Sequence, residues 1–322
     1  MMALWVNERE VGELLTMKDA VSAVEEVTRR EAEGAAIVQP RQRLELPQKG
    51  FLHYMAGADI SEGLVGMKIY TSVRGALRFL VLLYRSQTGE LLAMIEADEM
   101  GVRRTGAASG VATKYLARAD AKTAGMIGTG HQARGQLLAI AAVRQLERVR
   151  VFGRDAERRR QFATAMSEEL NLNVEPAKSA EEAIRGAEIV VTATTALKPV
   201  LTGSMLEPGM HVNAIGANFP QKRELDDAAV ARCDKIFVDS IEQAKIEAGD
   251  LVQPYGNDDQ EWKRVGKIGD VLVGKLPGRG SITEITLFKS SGIAIWDVAC
   301  AAKVYELAKA RGAGKEVPLW GD

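Results

Sequence analysis

The chain has 322 residues, enough for two domains of ordinary size that each bury a core. Its composition is globular, with 46% apolar and 26% charged residues, and a net charge of −1 gives no basic surface for nucleic acid or an anionic membrane. No apolar run is long enough to span a membrane, and the N-terminus lacks the pattern of a signal peptide. The two cysteines imply no disulfide framework, and the three histidines show no metal-ligand spacing. The chain is therefore expected to be a cytoplasmic enzyme with no metal.

The first hundred residues predict a β-rich half that opens with two helices. Residues 4–6 are interpreted as an edge strand. Asn7 is expected to cap a helix over residues 8–15, and Thr16 a second helix that ends at Gly34. An extended segment between prolines follows at residues 39–47. Further strands are predicted at residues 50–56, 65–72, 77–84 and 91–96, followed by a helix over residues 98–115.

From residue 122 onward, strands alternate with helices, which is typical of a parallel sheet wound with helices. The strand candidates are residues 124–127, 149–152, 189–194, 211–215 and 236–238, with a weaker one at 173–176. Residues 249–262 are interpreted as a polar loop, residues 282–289 as a final strand, and residues 293–310 as a helix that returns to the first half. The predicted fold class is α/β: a Rossmann-type doubly wound parallel sheet (residues 116–292) inserted in a β-rich α+β domain (residues 1–115 and 293–322).

A glycine-rich turn joins the first parallel strand to its helix. Because of this context, we interpret the turn as a dinucleotide fingerprint, the alternative being an ordinary tight strand–helix turn. Gly128 allows the tight turn, Gly130 lets a pyrophosphate approach the backbone, and Ala133 lets the helix pack on the strand. The N–H groups of the first helical turn then face the phosphates. The predicted cofactor contacts are Gly128, Thr129, Gly130, His131, Gln132 and Ala133.

The next strand bears on the choice of cofactor. NAD-binding proteins usually place an acid at its end, about 20 residues beyond the glycines, to bind the ribose hydroxyls. Here the strand is followed by Gly153 and Arg154, and an arginine can pair with a 2′-phosphate. Asp155 argues the other way unless it caps the next helix. We therefore expect NADP(H) in preference to NAD(H), and interpret Arg159 and Arg160 as a solvated helix face. Thr194, Ala214 and Gly216 are also expected to contact the cofactor, because they lie at strand ends, where wound sheets bind their ligands.

Several motifs together resemble the ornithine cyclodeaminase and mu-crystallin family along nearly the whole chain. They are residues 39–41 (QPR), 66–68 (GMK), 103–108 (RRTGAA), 126–133 (MIGTGHQA), 213–218 (NAIGAN) and 291–297 (SGIAIWD). The family includes cyclodeaminases, alanine dehydrogenases, ketimine and cyclic imine reductases, opine-type enzymes and a thyroid-hormone-binding crystallin. The resemblance implies that the β-rich domain binds substrate and pairs with a second copy, so that the protein is a homodimer.

The resemblance also implies a carboxylate-binding set of three cations. Lys68 matches a lysine that meets the substrate carboxylate. Arg41 matches an arginine that holds it, although Arg43 is the alternative match. Arg104 matches an arginine near both the carboxylate and the cofactor; Thr105 and Gly292, from the family motifs, are also expected at the cofactor. The alternative interpretations are a strand-surface charge for Lys68 and Arg41 and a structural salt bridge for Arg104.

Two further positions bear on the chemistry. Family cyclodeaminases have an aspartate where this chain has Asn218. An amide cannot exchange a proton near neutral pH, so this difference argues against cyclodeamination and favours imine reduction. The alternative interpretation of Asn218 is a loop residue that caps a turn. His53 lies where the substrate-facing residue varies, so it is a candidate proton donor, or else a half-buried strand histidine. Met55, with Tyr70 and Phe219, is expected in the pocket wall.

These features give three hypotheses. The first is NADPH-dependent reduction of a C=N bond next to a carboxylate, in a cyclic imino acid or in a 2-oxo acid condensed with ammonia or a small amine. Arg41, Lys68 and Arg104 would hold the carboxylate, and His53, Lys68 or water would protonate the nitrogen. The second is an ornithine cyclodeaminase with recycled NAD, in which Glu96, Asp98 or Glu99 replaces the missing carboxylate. The third is a protein that binds NADPH and a bulky ligand without turnover.

Overall fold

The computed structural model describes residues 2–47, 50–73 and 75–320. The chain divides into two compact units. The first unit runs to Arg104 and resumes at Gly292, and the second is Thr105–Ser291. Residues 1 and 322, the outer limits predicted for the first domain, lie outside the described residues.

The elements are numbered in chain order. The strands are β1 (Met2–Val6), β2 (Ala36–Val38), β3 (Gln42–Leu46), β4 (Gly50–Asp59), β5 (Leu64–Val73), β6 (Ala76–Arg85), β7 (Leu91–Glu96), β8 (Thr123–Ile127), β9 (Arg148–Phe152), β10 (Val174–Pro176), β11 (Ile189–Thr192), β12 (His211–Ala214), β13 (Lys235–Val238), β14 (Val265–Lys267), β15 (Thr286–Lys289) and β16 (Lys315–Pro318). The helices are α1 (Glu8–Leu14), α2 (Met17–Ala32), α3 (Asp98–Leu116), α4 (His131–Val143), α5 (Ala156–Leu170), α6 (Ala180–Ile184), α7 (Asp227–Ala231), α8 (Ile241–Glu247), α9 (Gly249–Tyr255), α10 (Asp259–Trp262), α11 (Ile268–Leu272) and α12 (Ala294–Arg311).

The first unit is built on a mostly antiparallel sheet. Its strand order is β16-β1-β7-β6-β5-β4-β2, and β3 also pairs with β4. Only β1 and β7 run parallel among the described pairs of this sheet. The prediction that β1 lies at the edge is wrong, because β16 pairs with its outer side. Residues 315–318 are too short and too polar to show the alternation that predicts a strand.

Helix α12 crosses β4 and β5 at two glycines. Gly57 and Gly66 lie directly opposite each other in the antiparallel register. A Cβ on Gly57 would lie 3.2 Å from the backbone nitrogen of Ile295, and one on Gly66 would lie 2.9 Å from Cγ2 of Val298. The missing side chains therefore allow the first turns of α12 to lie close to the sheet.

The second unit is a parallel sheet with the order β10-β9-β8-β11-β12-β15-β13-β14. Its first five strands follow the order of dinucleotide-binding sheets. Successive residues of β11 pack into different cores, Val190 into one and both Ile189 and Val191 into the other, so both faces of the sheet are covered. The predicted fold class is therefore confirmed: a doubly wound parallel sheet inserted in a β-rich unit.

The least accurate predictions concern the end of the second unit. The predicted loop at residues 249–262 contains α9 and α10, in which Leu251, Tyr255 and Trp262 are buried. Pro254 lies inside α9 and conceals the helical pattern. The predicted strand at residues 282–289 is only its second half, β15, and Ile282 is 74% exposed.

The predicted helix caps at Asn7, Thr16 and Asp155 are confirmed, since each side chain accepts a hydrogen bond from the first turn of its helix. Among the described residues, no helix combines the length and the apolar character that crossing a membrane requires.

Candidate active site

Within the first unit, four charged side chains from different elements meet in a buried cluster. Lys68 lies in the middle of β5, and Arg104 lies on α3. Asp297 is in the first turn of α12, and Arg41 precedes β3. Lys68 points to the side of the sheet that α12 covers, because its register partner is the buried Met55 and side chains directly opposite each other share a face. We call these four residues the cation cluster.

Asp297 is at the centre of the cation cluster. Its Oδ1 accepts hydrogen bonds from Lys68 Nζ at 3.0 Å and from Arg104 Nε at 3.1 Å. Arg41 donates to the sulfur of Met55 and to the carbonyl oxygen of Gly292, both at 3.4 Å. The exposed fractions are 3% for Lys68, 7% for Arg41 and Arg104, and 0% for Asp297. Charges this deeply buried require partners, and two cations here share one carboxylate oxygen.

Gly292 shapes the cluster through its backbone. Its φ is +79°, in the left-handed region, and a Cβ there would lie 2.5 Å from Nη1 of Arg104. Glycine is therefore required both by the turn into α12 and by the arginine beside it. The structure thus places Gly292, predicted as a cofactor contact, against Arg104 and Arg41.

Burial makes the Lys68 ammonium group a stronger acid. Desolvation lowers the pKa of Lys68 to about 8, with Arg104 and Arg41 acting in the same direction and Asp297 opposing them. Its Nζ lies 5.0 Å from the centroid of the Phe79 ring. A lysine with such a pKa is charged at neutral pH and can still release its proton readily.

His53 lies on the same face of β4 as Met55. Its Nε2 is hydrogen-bonded to Ser72 Oγ at 2.9 Å, and its ring stacks on Tyr70 with centroids 4.4 Å apart. Desolvation, followed by the nearby Arg43 and Arg41, lowers the pKa of His53 to about 4. The imidazole is therefore neutral at neutral pH, and Lys68 is the better proton donor of the two.

In the second unit, the glycine turn has the geometry of a diphosphate site. Gly128 has a φ of +118°, and a Cβ there would overlap the carbonyl oxygen of Ala193. Gly130 is exposed, a Cβ on it would have no neighbour within 4 Å, and it begins α4 without a side-chain cap. The buried Gln132 Oε1 has no hydrogen-bond partner among the described residues. An open, uncapped helix start behind two glycines fits a dinucleotide phosphate.

Small residues allow close packing around the start of α4. Ala133 is fully buried, as close packing on β8 requires, whereas His131 at the first helical position is exposed. Thr129 lies against Gly153, where a Cβ would overlap its hydroxyl oxygen. The glycine at the end of β9 therefore makes room for the neighbouring turn.

The arginines after β9 differ in environment. Arg154 is exposed. Arg159, in contrast, is not the solvated side chain that we expected: its Nη1 donates to the Gly153 carbonyl at 2.6 Å, and its guanidinium carbon lies 5.3 Å from the Phe152 ring centroid. Arg160 is exposed as expected and pairs with Glu157. Arg154 and Arg159 thus lie near the strand end where such folds bind the adenine ribose, one exposed and one held against the strand.

A buried glutamate joins the ends of β11 and β12. Glu224 Oε1 accepts from the backbone N–H and the hydroxyl of Thr194, both at 2.7 Å. Its Oε2 accepts from the Gly216 N–H at 2.7 Å and from the Thr192 hydroxyl at 2.8 Å. Two predicted cofactor positions, Thr194 and Gly216, are thus held by one side chain. Ala214, a third, is buried at the end of β12.

Further buried charges support this glutamate. Asp250 Oδ1 accepts from the Glu224 N–H at 2.6 Å, and Lys289 Nζ lies 3.3 Å from Asp250 Oδ2 and donates to the Ala217 carbonyl at 2.6 Å. We call Glu224, Asp250 and Lys289 the acid–lysine network. This network was not predicted from the sequence, because lysine is rarely fully buried unless it is paired and the partners of Lys289 lie in distant polar stretches. Asn218 lies next to Ala217, half-buried.

The carboxylates considered as substitutes for the missing family aspartate have structural roles. Glu96 accepts from the Glu8 N–H at the start of α1 at 2.9 Å, and Glu99 pairs with Arg103 at 2.7 Å. Asp98 begins α3, and its N–H is bonded to the Glu8 carboxylate. Thr105 is half-buried on the same helix.

Nearly the whole chain, beyond its separate motifs, matches one known family. The model of the ornithine cyclodeaminase/mu-crystallin family matches residues 2–312. The chain belongs to this family. The resemblance predicted from its motifs is therefore confirmed.

Three relatives describe the family members to which the chain is similar. A Delta(1)-pyrroline-2-carboxylate reductase of Bacillus cereus is 39% identical over 268 residues, which cover 80% of this chain and 82% of that protein. The Thermococcus litoralis Delta(1)-pyrroline-2-carboxylate reductase in complex with NADH and L-proline superposes with a TM-score of 0.93 at 34% identity, covering 98% of this chain and all of that one. An archaeal alanine dehydrogenase dimer with bound NAD has a TM-score of 0.93 at 35% identity, covering 99% and 100%. These relatives are oxidoreductases of imine or amine groups, the enzyme class that the sequence predicts.

Proposed function

We propose that this protein is an NADPH-dependent reductase of a carbon–nitrogen double bond adjacent to a carboxylate. The observation that carries the proposal is the pairing of two buried cations, Lys68 and Arg104, with a single oxygen of Asp297. This trio has a net charge of +1 in a desolvated place, and Arg41 lies near enough to affect the Lys68 pKa. A small carboxylate would compensate that charge, and an arginine fork would fix its orientation.

The second unit supports the cofactor part of the proposal. The turn at Gly128 and Gly130 would hold the diphosphate, and the strand ends near Thr194 and Gly216 would contact the remainder of the dinucleotide. When bound, a reduced nicotinamide supplies hydride. The preference for NADPH rests on Gly153, where an acid would be expected in an NAD-binding protein, and on the exposed Arg154 that follows it.

In the proposed reaction, the bound cofactor would supply hydride for the imine carbon, the π electrons would move to nitrogen, and nitrogen would take one proton. Lys68 is the donor in this scheme. It is charged at neutral pH with a pKa of about 8, whereas the pKa of His53 is about 4. After the transfer, the lysine amine regains a proton from water. Arg41 and Arg104 hold the carboxylate throughout.

We further propose a cyclic imino acid as the substrate. The similarity to two pyrroline-2-carboxylate reductases supports this class. Met55 and the stacked rings of His53 and Tyr70 provide an apolar surface beside Lys68. A small ring without charged substituents suits such a surface.

We also propose that two copies associate through the outer face of the first sheet. Register partners share a face, and the row Tyr54–Ile69–Leu80 points away from the cation cluster, as does the row Met67–Leu82–Met94. The six residues of these rows remain partly exposed, as do Ile37 and Leu44, which are 55% and 56% exposed. An apolar sheet face of this extent marks an interaction surface, and the similar alanine dehydrogenase is a dimer.

The direct test is cofactor oxidation with defined substrates. NADPH consumption should occur with pyrroline-2-carboxylate or piperideine-2-carboxylate, and pyruvate with methylamine tests the open-chain alternative. NADH should support the same reaction less efficiently. Absence of consumption with all of these substrates would refute the reductase. Ammonia release from ornithine without net cofactor change would favour the cyclodeaminase instead.

A further inference from the structure

The position of Asp297 is unusually constrained for a side chain to which the motifs assign no role. Its carboxylate is fully buried, and its Oδ1 binds both Lys68 and Arg104. Its Oδ2 is also buried, and no hydrogen-bond partner for this atom occurs in the described part of the chain. One oxygen therefore orders two cations, while the other is an acceptor that the fold does not use.

The surrounding backbone keeps this geometry rigid. The left-handed turn at Gly292 directs the chain into α12, and the glycine pair at 57 and 66 lets the helix lie close to β5. On α3, a Cβ at Gly101 would lie 3.2 Å from Lys68 Nζ, so the glycine leaves room for the ammonium group. The lysine is thus confined between two helices, with Asp297 as its acceptor.

We propose that Asp297 is the positioning residue for proton delivery: it holds the Lys68 ammonium in its charged form and fixes its direction, while fixing Arg104 for the substrate carboxylate. The proposal rests on the proposed reductase function. It adds a residue that acts on the reaction through Lys68.

The charges around Lys68 determine in which direction its pKa would change if the Asp297 charge were removed. Asp297 raises the pKa of Lys68, whereas burial, Arg104 and Arg41 lower it, and the balance is a pKa of about 8. Removing the carboxylate charge would therefore lower this pKa further, and Lys68 would lose its proton at a lower pH. The titratable or charged groups that face Lys68 are Asp297 and Cys300 on α12, Arg104 on α3, Arg41 before β3, Tyr70 on β5 and the neutral His53 on β4.

The experiment compares Asp297→Asn with the wild type in the full-length protein. For NADPH-dependent reduction of pyrroline-2-carboxylate, the alkaline limb of the kcat profile should shift down by about one pH unit, since a nearby opposite charge changes a pKa by about 1–3 units. At pH 7, this shift should lower kcat about twofold, and that loss should recover at pH 6; a further loss that does not change with pH should report the lost orientation of the ammonium group. The affinity for NADPH, measured by fluorescence without substrate, should stay within about twofold.

Two controls separate positioning from general damage. Asp59→Asn removes another buried carboxylate of the same unit, which pairs with Arg30 at 2.7 Å, and it should leave the alkaline limb unmoved. Asp297→Glu retains the charge on a longer side chain, so it should lower kcat with little shift of the limb. If Asp297→Asn does not fold, Asp297→Glu provides the test. A kcat for Asp297→Glu equal to that of the wild type would overturn the proposal.

A second readout does not depend on turnover. In protein labelled with [ε-13C]lysine and assigned with Lys68→Arg, NMR titration should give a lower midpoint for Lys68 in Asp297→Asn than in the wild type. If the midpoint is lower but the wild-type protein reduces no imino acid, Asp297 still determines the charge of Lys68, and the proposed reductase function is wrong. An unchanged or higher midpoint in an active enzyme would overturn the positioning role alone.

Discussion

Substitution of Glu224 by glutamine tests the structural basis of the cofactor site. The amide replaces one carboxylate oxygen by a donor, so that two of the four donated hydrogen bonds lose their acceptor. Each hydrogen bond to a charged group contributes about 1.5–3 kcal/mol, and the threonine hydroxyl of either pair can rotate to accept instead. Burial and Asp250 raise the pKa of Glu224, so that removing its charge relieves part of the loss. We expect a net destabilisation of about 2–4 kcal/mol.

Thermal unfolding and cofactor titration provide the assay. A change of 1 kcal/mol shifts the melting temperature of a domain of this size by about 2–4 °C, so Glu224→Gln should melt about 5–15 °C lower. Its affinity for NADPH should fall by about tenfold, because the Thr194 and Gly216 backbones lose their common anchor. Asp226→Asn is the matched control. This carboxylate caps α7 and accepts from the Gly203 N–H, so its loss should affect stability without changing cofactor affinity. Equal NADPH affinities for Glu224→Gln and the wild type would refute the reasoning.

Three further predictions concern conformation, charge and pH. Gly128→Ala should abolish NADPH binding because its Cβ meets the Ala193 carbonyl, whereas Gly186→Ala, with a φ of +66° but open space, should only lose about 1 kcal/mol of stability; equal binding losses would contradict this. Arg154→Ser should weaken NADPH binding about tenfold and NADH binding little, and calorimetric titration showing equal losses would count against a 2′-phosphate contact. Burial lowers the pKa of His211 to about 3, so the unfolded chain binds the extra proton between pH 6.5 and 3. The unfolding free energy should therefore fall by about 1.4 kcal/mol per pH unit as pH decreases through this range, and His211→Gln should reduce the slope measured by urea unfolding.

The sequence was most informative where a local pattern determines local structure. Apolar runs predicted the central parallel strands, and the caps at Asn7, Thr16 and Asp155 are confirmed because a capping side chain acts within its own helical turn. Strand β16 was missed because its pairing with β1 depends on residues more than 300 positions away. Helix α9 was missed because Pro254 breaks its pattern.

The charged residues were harder to interpret than the glycines. The turn at Gly128 carries a signature that depends on a strand before it and a helix after it, and both are visible in sequence. Glu224 and Asp250 lie in polar stretches that resemble a surface, although both are fully buried. Asp297 was part of a recognised motif, but only the folded chain brings it to Lys68, 229 positions away. Burial of paired charges is a tertiary property that periodicity does not report.

The close packing of α12 on the sheet offers a way to change the acidity of Lys68 in small steps. The turn of α12 that packs on Gly57 and Gly66 also carries Asp297. The absence of side chains at these two positions therefore determines how close the Asp297 carboxylate lies to β5. A methyl group at either position would press on α12 and also on a strand carbonyl, Ile37 O at 3.2 Å from position 57 or Leu82 O at 2.9 Å from position 66. The part of the strain that moves the helix would lengthen the Asp297–Lys68 contact. Substitutions at two uncharged strand positions, one of them two residues before Lys68 on β5, are therefore expected to change the acidity of that lysine.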